Sequence, residues 1–297
     1  MILVDYSQVA LAAILTFQRE LKGTESEVKN LIRHVTLSTL KSYKKKYGKE
    51  YGQLVICCDG RKYWRKEYFE HYKASRKKSR EASHLDWKLI FDTLSEMRTD
   101  LAQYFPYKVI HVDRAEADDV IAVLTKWVQD NELVTEGLVE ESQKVLILSS
   151  DKDFKQLQLY PNVKQWSPMQ KKYITATKQE IRDFMVEHIV KGDSGDGVPN
   201  ILSKDDTFVS GERQKVMSAK RLQEFIENGE AACRNDEEKR NYARNQTLVD
   251  FFFIPEDVSK DIVDTYISSK PNGDKMTIMN YLVANKCRLL LDELEDF

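Results

Sequence analysis

The stretch VLILSSDKDFKQL, residues 145–157, decides how the rest of the sequence is interpreted. Its first four residues are apolar in succession, which is typical of a strand buried on both faces of a parallel sheet. Asp151 and Asp153 follow within a few residues. Ligands bind beyond the carboxyl ends of such strands, so these two acids belong to a site if other strands also end in acids.

Three further apolar runs do end in an aspartate. They are ILVD, LVICCD and VIHVD, at residues 2–5, 54–59 and 109–113. The segments between the runs include 85–105 and 115–130, which have the apolar periodicity of amphipathic helices. Strands that alternate with helices predict an α/β fold with a central, mostly parallel sheet flanked by helices.

The sequence changes character near residue 185. Residues 163–177 predict an extra pair of strands, whereas a glycine-rich turn, KGDSGDGVPN, opens a segment that is helical in pattern apart from DFFFIPED at 250–257. We therefore expect an α/β core at 1–185 and a mainly helical region at 186–297.

The strand-end acids are expected to meet at one edge of the sheet. Asp5, Asp59 and Asp151 end three runs, and the motif EADD after the fourth places Glu116 and Asp118 at the start of a helix. Each acid alone is more often a helix cap or a solvated loop residue. Together they would raise one another's pKa values unless cations neutralise them. Oxygen ligands favour Mg²⁺ or Mn²⁺, and a pair of such ions is typical of phosphodiester cleavage.

A basic and aromatic stretch begins directly after Asp59. Residues 60–83 interleave lysines and arginines, Arg65 among them, with tyrosine, tryptophan and phenylalanine. Such a run is more often a solvated face. Beside an acidic metal site it favours nucleic acid, since cations bind phosphates and aromatic rings stack on bases. The formal net charge of −2 adds nothing to this argument.

Composition limits the class of protein. No apolar segment reaches the roughly 20 residues that span a bilayer. The N-terminal MILVDYSQ lacks the basic leader of a signal peptide, and the 4 cysteines have no metal-ligand spacing. We expect a soluble, cytoplasmic protein with reduced thiols.

Five motifs also carry a resemblance to a known family. They are VDYSQ, CCDGRKYWRKEYFEHYKASR, EADDVIAVL, LSSDKDFKQL and YPNVKQWSPM. In order and spacing they resemble the 5′ nucleases of the flap endonuclease superfamily, most closely the ribonuclease H group of T-even bacteriophages. The resemblance covers nearly the whole chain. It implies a PIN-like 5′ nuclease core, a basic arch at 60–83 and a helix-turn-helix-like duplex-binding element in the C-terminal region.

The resemblance also implies the ligands of two Mg²⁺ ions, for which Mn²⁺ could substitute. The first ion would be surrounded by Asp5, Asp59, Asp118 and Asp151, with Glu116 acting through water. The second would be held by Asp151, Asp153, Asp193 and Asp196. Asp119 would support these ligands from a neighbouring position.

The nucleic-acid contacts implied by the resemblance lie in two segments. In the arch, Lys73 and Arg76 would lie near the scissile phosphate and Tyr72 would stack on the terminal base. After GDSGDGVPN a longer segment replaces the compact hairpin of the family. There Lys215 and Lys220 are candidates for duplex phosphates, although a plain amphipathic helix is equally compatible with this segment.

The implied function is metal-dependent 5′ to 3′ cleavage of RNA–DNA hybrids and of double-stranded or flap DNA, which removes RNA primers during replication. The alternatives are a PIN-type ribonuclease, a haloacid-dehalogenase-type phosphatase and a non-catalytic structure-specific binding module. The phosphatase needs an acid two residues after Asp5, where this chain has Ser7.

The implied partners are DNA and RNA–DNA duplexes with a free 5′ end, and no membrane. A replication protein, either a sliding clamp or a single-strand-binding protein, is a further candidate, which the tail LLLDELEDF could contact through Leu294 and Phe297. We expect a monomer, acting in the host cytoplasm if a phage encodes it.

Overall fold

The computed structural model describes residues 1–74, 76, 83–131, 133–136 and 139–297, with only the backbone described between 133 and 140. Part of the predicted basic arch, including Lys77, Lys78 and Arg80, lies outside the described residues. The chain forms two compact units. Met1–Arg61, His84–Ile174 and Asp257–Phe297 make up the first, and Lys62–Ser83 with Thr175–Glu256 make up the second. This division does not follow the predicted boundary at residue 185, because the last 41 residues, 257–297, return to the first unit.

Eight strands are present in the described residues. They are β1 (Ile2–Asp5), β2 (Leu54–Cys58), β3 (Lys108–His111), β4 (Leu133–Glu136), β5 (Val139–Ser142), β6 (Val145–Leu148), β7 (Val163–Ser167) and β8 (Lys172–Ile174). Six of them form one sheet in the order β3-β2-β1-β6-β7-β8, in which only the β7–β8 pair is antiparallel. The predicted mostly parallel sheet and the extra strand pair are therefore confirmed.

The first unit also contains helices, four before the last strand and two after it. They are α1 (Tyr6–Ile14), α2 (Glu25–Tyr51), α4 (Trp87–Tyr104), α5 (Ala117–Asn131), α10 (Glu256–Ser268) and α11 (Lys275–Ala284), of which α10 begins one residue inside the second unit. The second unit contains α3 (Trp64–Tyr68), α6 (Lys178–Lys191), α7 (Thr207–Ser210), α8 (Ala219–Asn228) and α9 (Asp236–Val249). Every helix among the described residues is too short or too polar to span a membrane.

The core of the first unit lies around the sheet. Strands β1, β2 and β6 are buried along their whole length, as their continuous apolar sequences predict. Helix α2 begins with a capping box, in which Thr24 and Glu27 satisfy each other's backbone N–H groups. The antiparallel hairpin of β4 and β5 was not predicted.

The C-terminal tail is part of this core. Phe297 is buried, with its ring centroid 5.4 Å from that of Phe105, and Leu294 packs against the same cluster. Lys41 pairs with Glu293 on the same segment. The prediction that Leu294 and Phe297 dock on a partner is therefore wrong for this conformation, because the first unit already buries Phe297 and packs against Leu294.

Candidate active site

The carboxyl ends of β1 and β6 are joined by one serine hydroxyl. Asp5 ends β1 and caps α1, accepting a hydrogen bond from the Gln8 backbone N–H at 3.3 Å. Ser149 Oγ donates a hydrogen bond to Asp5 Oδ2 at 2.8 Å. Ser149 Oγ also accepts a hydrogen bond from the backbone N–H of Asp151 at 3.1 Å. Two predicted ligands thus come from adjacent parallel strands and share one buried hydroxyl.

Asp5 is the most strongly perturbed of the predicted ligands. Burial, followed by the negative charge of Asp59 and more weakly by that of Asp151, raises the pKa of Asp5 to about 7. Hydrogen bonds from Ser149 and Gln8 act in the opposite direction. The three acids therefore lie close enough to repel one another, as the strand-end argument predicts.

A tight turn attaches Asp59 to the start of α5. Asp59 Oδ1 accepts a hydrogen bond from the Ala117 N–H at 3.1 Å, and Gly60 N–H donates to Ala115 O at 2.7 Å. A Cβ atom on Gly60 would lie 2.4 Å from the Val112 carbonyl oxygen, closer than real Cβ contacts come. Only glycine therefore lets the end of β2 approach the start of α5, where Glu116 directly precedes the helix and Asp118 lies in its first turn.

The first turn of α5 positions its own acids. Glu116 is buried and Asp118 is half-buried. Asp119 is fully buried, and its Oδ2 atom accepts a hydrogen bond from the Glu116 backbone N–H at 2.9 Å. Asp119 therefore stabilises the turn that holds Glu116, and its support of metal ligands stays a prediction.

A buried glutamine holds the segment after β6. Asp151 caps the 3₁₀ helix Lys152–Leu159 by accepting from the Asp153 N–H at 2.9 Å. Gln165 Nε2 donates to the carbonyl oxygens of Ser149 and Asp151, at 3.0 and 2.6 Å. Sequence reasoning missed Ser149 and Gln165. The sequence feature that could have identified Gln165 is an amide side chain inside a predicted strand. In the structure Gln165 pairs with Ile147 of β6.

The loop after α6 in the second unit carries Asp193 and Asp196. Asp193 Oδ1 accepts hydrogen bonds from the backbone N–H groups of Gly195 and Asp196, at 2.8 and 3.1 Å. His188 Nε2 lies 3.8 Å from Asp193 Oδ2. Gly192 adopts a φ of 66°, and a Cβ atom there would lie 2.3 Å from the Val198 carbonyl oxygen. The GDSGDG sequence thus forms a tight turn that the Asp193 side chain stabilises by accepting two backbone hydrogen bonds.

The predicted arch residues contact Asp196 within the second unit. The Tyr72 hydroxyl donates to Asp196 Oδ2 at 2.8 Å, Lys73 Nζ lies 3.7 Å from the same oxygen, and Arg76 pairs with Oδ1. Tyr72 is only 4% exposed, so its ring would have to leave this position to stack on a base. The roles of Lys73 and Arg76 at a phosphate remain predictions.

The three other residues predicted to contact nucleic acid differ in solvent exposure. Arg65 is 3% exposed and donates from Nε to the Leu248 carbonyl oxygen at 2.8 Å. Its predicted contact with nucleic acid is therefore wrong for this conformation, since the guanidinium is buried in the second unit. Lys215 and Lys220 are exposed and line a cavity of about 470 Å³ near the N-termini of α8 and α9. Their role remains a prediction.

The donor atoms of the first unit suit a hard cation. The thiols of Cys57 and Cys58 are buried next to Asp5 and Asp59, but burial raises the pKa of both thiols well above the usual value. Clustered carboxylate oxygens, one of them with a raised pKa, are the kind of ligands that a divalent cation binds in proteins.

Comparison with known proteins identifies the family. Residues 1–186 match the family described as 5′-3′ exonuclease, N-terminal resolvase-like domain, and residues 178–297 match the family described as T4 RNase H, C terminal. The chain belongs to the 5′-3′ exonuclease family. It is 35% identical over 306 residues to Ribonuclease H of Enterobacteria phage T4, an alignment that covers 99% of this chain and 95% of that protein.

More distant members resemble parts of the chain or its fold. Flap endonuclease Xni of Shewanella piezotolerans is 33% identical over 46% of this chain and 49% of that protein. The D15 flap endonuclease of bacteriophage T5, solved with DNA and metal ions, superposes with a TM-score of 0.60 at 16% identity, covering 90% of this chain and 99% of that one. The predicted fold and the prediction of a nuclease are confirmed, against a phosphatase or a non-catalytic module.

Proposed function

We propose that the protein is a divalent-metal-dependent 5′ to 3′ nuclease. It cleaves RNA–DNA hybrids and double-stranded or flap DNA from a free 5′ end and thereby removes RNA primers during DNA replication. The observation that carries this proposal is the full-length similarity to Ribonuclease H of phage T4. The convergence of Asp5, Asp59 and Asp151 at one sheet edge supports it independently.

The proposed cofactor is a pair of Mg²⁺ ions, which Mn²⁺ could replace. Asp5, Asp59, Asp118 and Asp151, with Glu116, would hold the first ion, and Asp153, Asp193 and Asp196 would complete the second. Such ions supply a Lewis acid that activates water and stabilises the leaving oxygen of a phosphodiester. The chain's own residues keep Asp5 and Asp151 in place through Ser149 and keep Asp59 against α5.

The substrate would be bound by cations of the second unit. Lys73 and Arg76 would contact the phosphate at the cleavage site, where fixed positive charge stabilises developing negative charge. Lys215 and Lys220 would contact duplex phosphates farther along. Each phosphate contact makes affinity more sensitive to salt, so neutralising either pair should reduce the salt dependence of binding.

The decisive experiment is a cleavage assay on a 5′-labelled RNA–DNA hybrid and a forked DNA flap, with Mg²⁺ or with EDTA. Asp151→Asn should lower the cleavage rate at least about 1,000-fold while retaining duplex binding, because a ligand shared by two ions is removed. Asp113→Asn is the matched control, since Asp113 also follows a sheet strand but is exposed. Retained turnover in purified Asp151→Asn, or equal losses in both variants, would contradict the proposal.

Products and partners extend the proposal. We expect short oligonucleotides that carry 5′-phosphates. We further propose that the protein acts as a monomer in the cytoplasm, or in the host cytoplasm if a phage encodes it. A sliding clamp or a single-strand-binding protein is the proposed partner class. Size-exclusion chromatography with light scattering, alone and with such partners, tests both points.

A further inference from the structure

The connection between β3 and α5 contains a residue with an uncommon backbone conformation. Arg114 adopts a φ of 69°, in the left-handed region that a residue with a Cβ atom rarely occupies unless its surroundings hold it there. Two predicted metal ligands follow it, since Glu116 directly precedes α5 and Asp118 lies in the first turn of this helix. The turn at Arg114 therefore determines the direction in which the chain reaches both acids.

Backbone packing leaves this connection little space beside Asp59. A Cβ atom on Gly60 would lie 2.4 Å from the Val112 carbonyl oxygen and 2.8 Å from that of Ala115, so the two backbones already touch. Ala115 is fully buried, and its N–H donates to the Val112 carbonyl oxygen at 3.3 Å. A different backbone conformation at Arg114 would therefore displace groups that are packed against the end of β2.

The Arg114 side chain connects this turn to α10. Its Nη1 atom donates to Asp257 Oδ2 at 2.5 Å, in the first turn of that helix. Farther along α10, the Tyr266 ring centroid lies 5.3 Å from that of Trp127 in α5, and the Tyr266 carbonyl oxygen accepts from Lys108 Nζ of β3 at 2.8 Å. Helix α10 thus contacts both elements that flank the connection, and both members of the ion pair belong to the first unit.

We propose that Arg114 is a positioning residue for the metal ligands at the start of α5. Its ion pair with Asp257 stabilises the left-handed turn, and the turn places Glu116 and Asp118 for the cation. Arg114 acts through the backbone of these ligands. The part of the proposal that concerns the cation rests on the proposed nuclease function. The two side chains are 37% and 61% exposed, so the pair should change an equilibrium constant only a few-fold.

Binding of Mn²⁺ without nucleic acid, measured by electron paramagnetic resonance of the free ion, tests the proposal without cleavage. Arg114→Ala should weaken binding about five-fold, because the pair is lost and alanine disfavours the left-handed turn. Arg114→Asn also loses the pair, but asparagine tolerates this conformation, so a loss of about two-fold is expected. Lys260→Ala is the control, since it removes one cation from an ion pair within α10 and should not change binding.

Two outcomes of this titration would overturn the proposal. They are unchanged Mn²⁺ affinity in Arg114→Ala, which a merely structural role predicts, and equal losses in Arg114→Ala and Arg114→Asn, which would mean that the turn conformation is not what the side chain controls. Asp257→Asn leaves Arg114 in place and should weaken binding about three-fold even if Arg114→Ala fails to fold. Unchanged affinity in Asp257→Asn would contradict the role of the pair.

Cleavage measured across a Mg²⁺ series gives an independent test. Arg114→Ala should raise the half-saturating Mg²⁺ concentration about five-fold, whereas its rate at saturating Mg²⁺ should stay within about two-fold of the wild type, because bound cation restores the ligand geometry. Combining Arg114→Ala with Asp257→Asn should add no further loss, since both act through one contact. Additive losses would argue against that contact. Absence of Mn²⁺ binding and of cleavage in the wild type would instead refute the proposed function.

Discussion

Asp5 combines burial with like charges in its surroundings. Its pKa is raised to about 7, from 3.8 for an ordinary aspartate, first by burial and then by Asp59. The folded protein therefore binds the proton more tightly than the unfolded chain does. Without metal, the contribution of Asp5 to stability is fully present below about pH 4 and is lost as the pH rises to about 7.

Asp5→Asn should remove this penalty. In EDTA at pH 8 we expect the free energy of unfolding to rise by up to about 4 kcal/mol relative to the wild type, whereas at pH 4 the two proteins should differ by less than about 1 kcal/mol. Thermal unfolding at both pH values measures the difference, and Asp113→Asn is the control. Added Mg²⁺ should stabilise the wild type at pH 8 but not Asp5→Asn. A gain that does not depend on pH would contradict the assigned cause.

At the scale of single residues, the sequence predicts which residues belong to the site better than it predicts which groups their side chains contact. The acids at strand ends could be predicted because apolar runs show where strands stop. The burial of Arg65 against the Leu248 carbonyl could not be predicted, because nothing in the sequence distinguishes Arg65 from the other cations of the same basic stretch. Tertiary packing between α3 and the end of α9 determines that Arg65 is buried.

At the scale of elements, the site depends on how strand ends are tied together. Ser149 connects the ends of β1 and β6, and Gln165 connects the segment after β6 to β7. The sequence predicted the strands, whose continuous apolar runs need no partner to be recognised. It did not predict the β4–β5 hairpin, which lacks such a run, or these polar links, which exist only once strands are paired.

Ser149→Ala should lower cleavage without unfolding the sheet. Its hydroxyl lowers the pKa of Asp5, so its loss should raise that pKa further and weaken binding of a divalent cation at neutral pH. We expect a roughly 10-fold lower rate at pH 7, with partial recovery at higher pH as Asp5 ionises.

Ser150→Ala is the matched control for Ser149→Ala. Ser150 is the next residue, but its hydroxyl contacts Ser167 Oγ at 2.8 Å and the Met169 N–H at 3.1 Å, both at the β7–β8 turn. A rate–pH profile measured with saturating Mg²⁺ distinguishes the two variants. Identical profiles for both would show that Ser149 does not act through Asp5.

At the scale of the whole molecule, the first unit is discontinuous in sequence. The chain completes the six-stranded sheet by Ile174, contributes residues 62–83 and 175–256 to the second unit, and returns to the first unit with 257–297. Composition and periodicity predicted that the last third is helical, but helical periodicity does not specify which core a helix joins. The structure shows that the C-terminal segment joins the core of the first unit, because Phe297 is only 7% exposed and packs on Phe105.

Phe297→Ala should therefore destabilise the first unit. Truncating a buried phenylalanine leaves a cavity and should lower the free energy of unfolding by about 3 kcal/mol. Leu289→Ala, in the same tail, should change it by less than about 0.5 kcal/mol because Leu289 is 79% exposed. Chemical denaturation of both variants measures the difference. Equal stabilities would mean that the tail does not belong to the core in solution.

The return of the chain to its first unit also affects biosynthesis. Domains commonly fold as they leave the ribosome, N-terminal part first. Here residues 257–297, which complete the core of the first unit, are translated after the whole second unit, so β1, β2 and β6 stay incompletely covered until this segment has emerged. A nascent chain arrested before residue 257 should accordingly be a better chaperone client than the released protein.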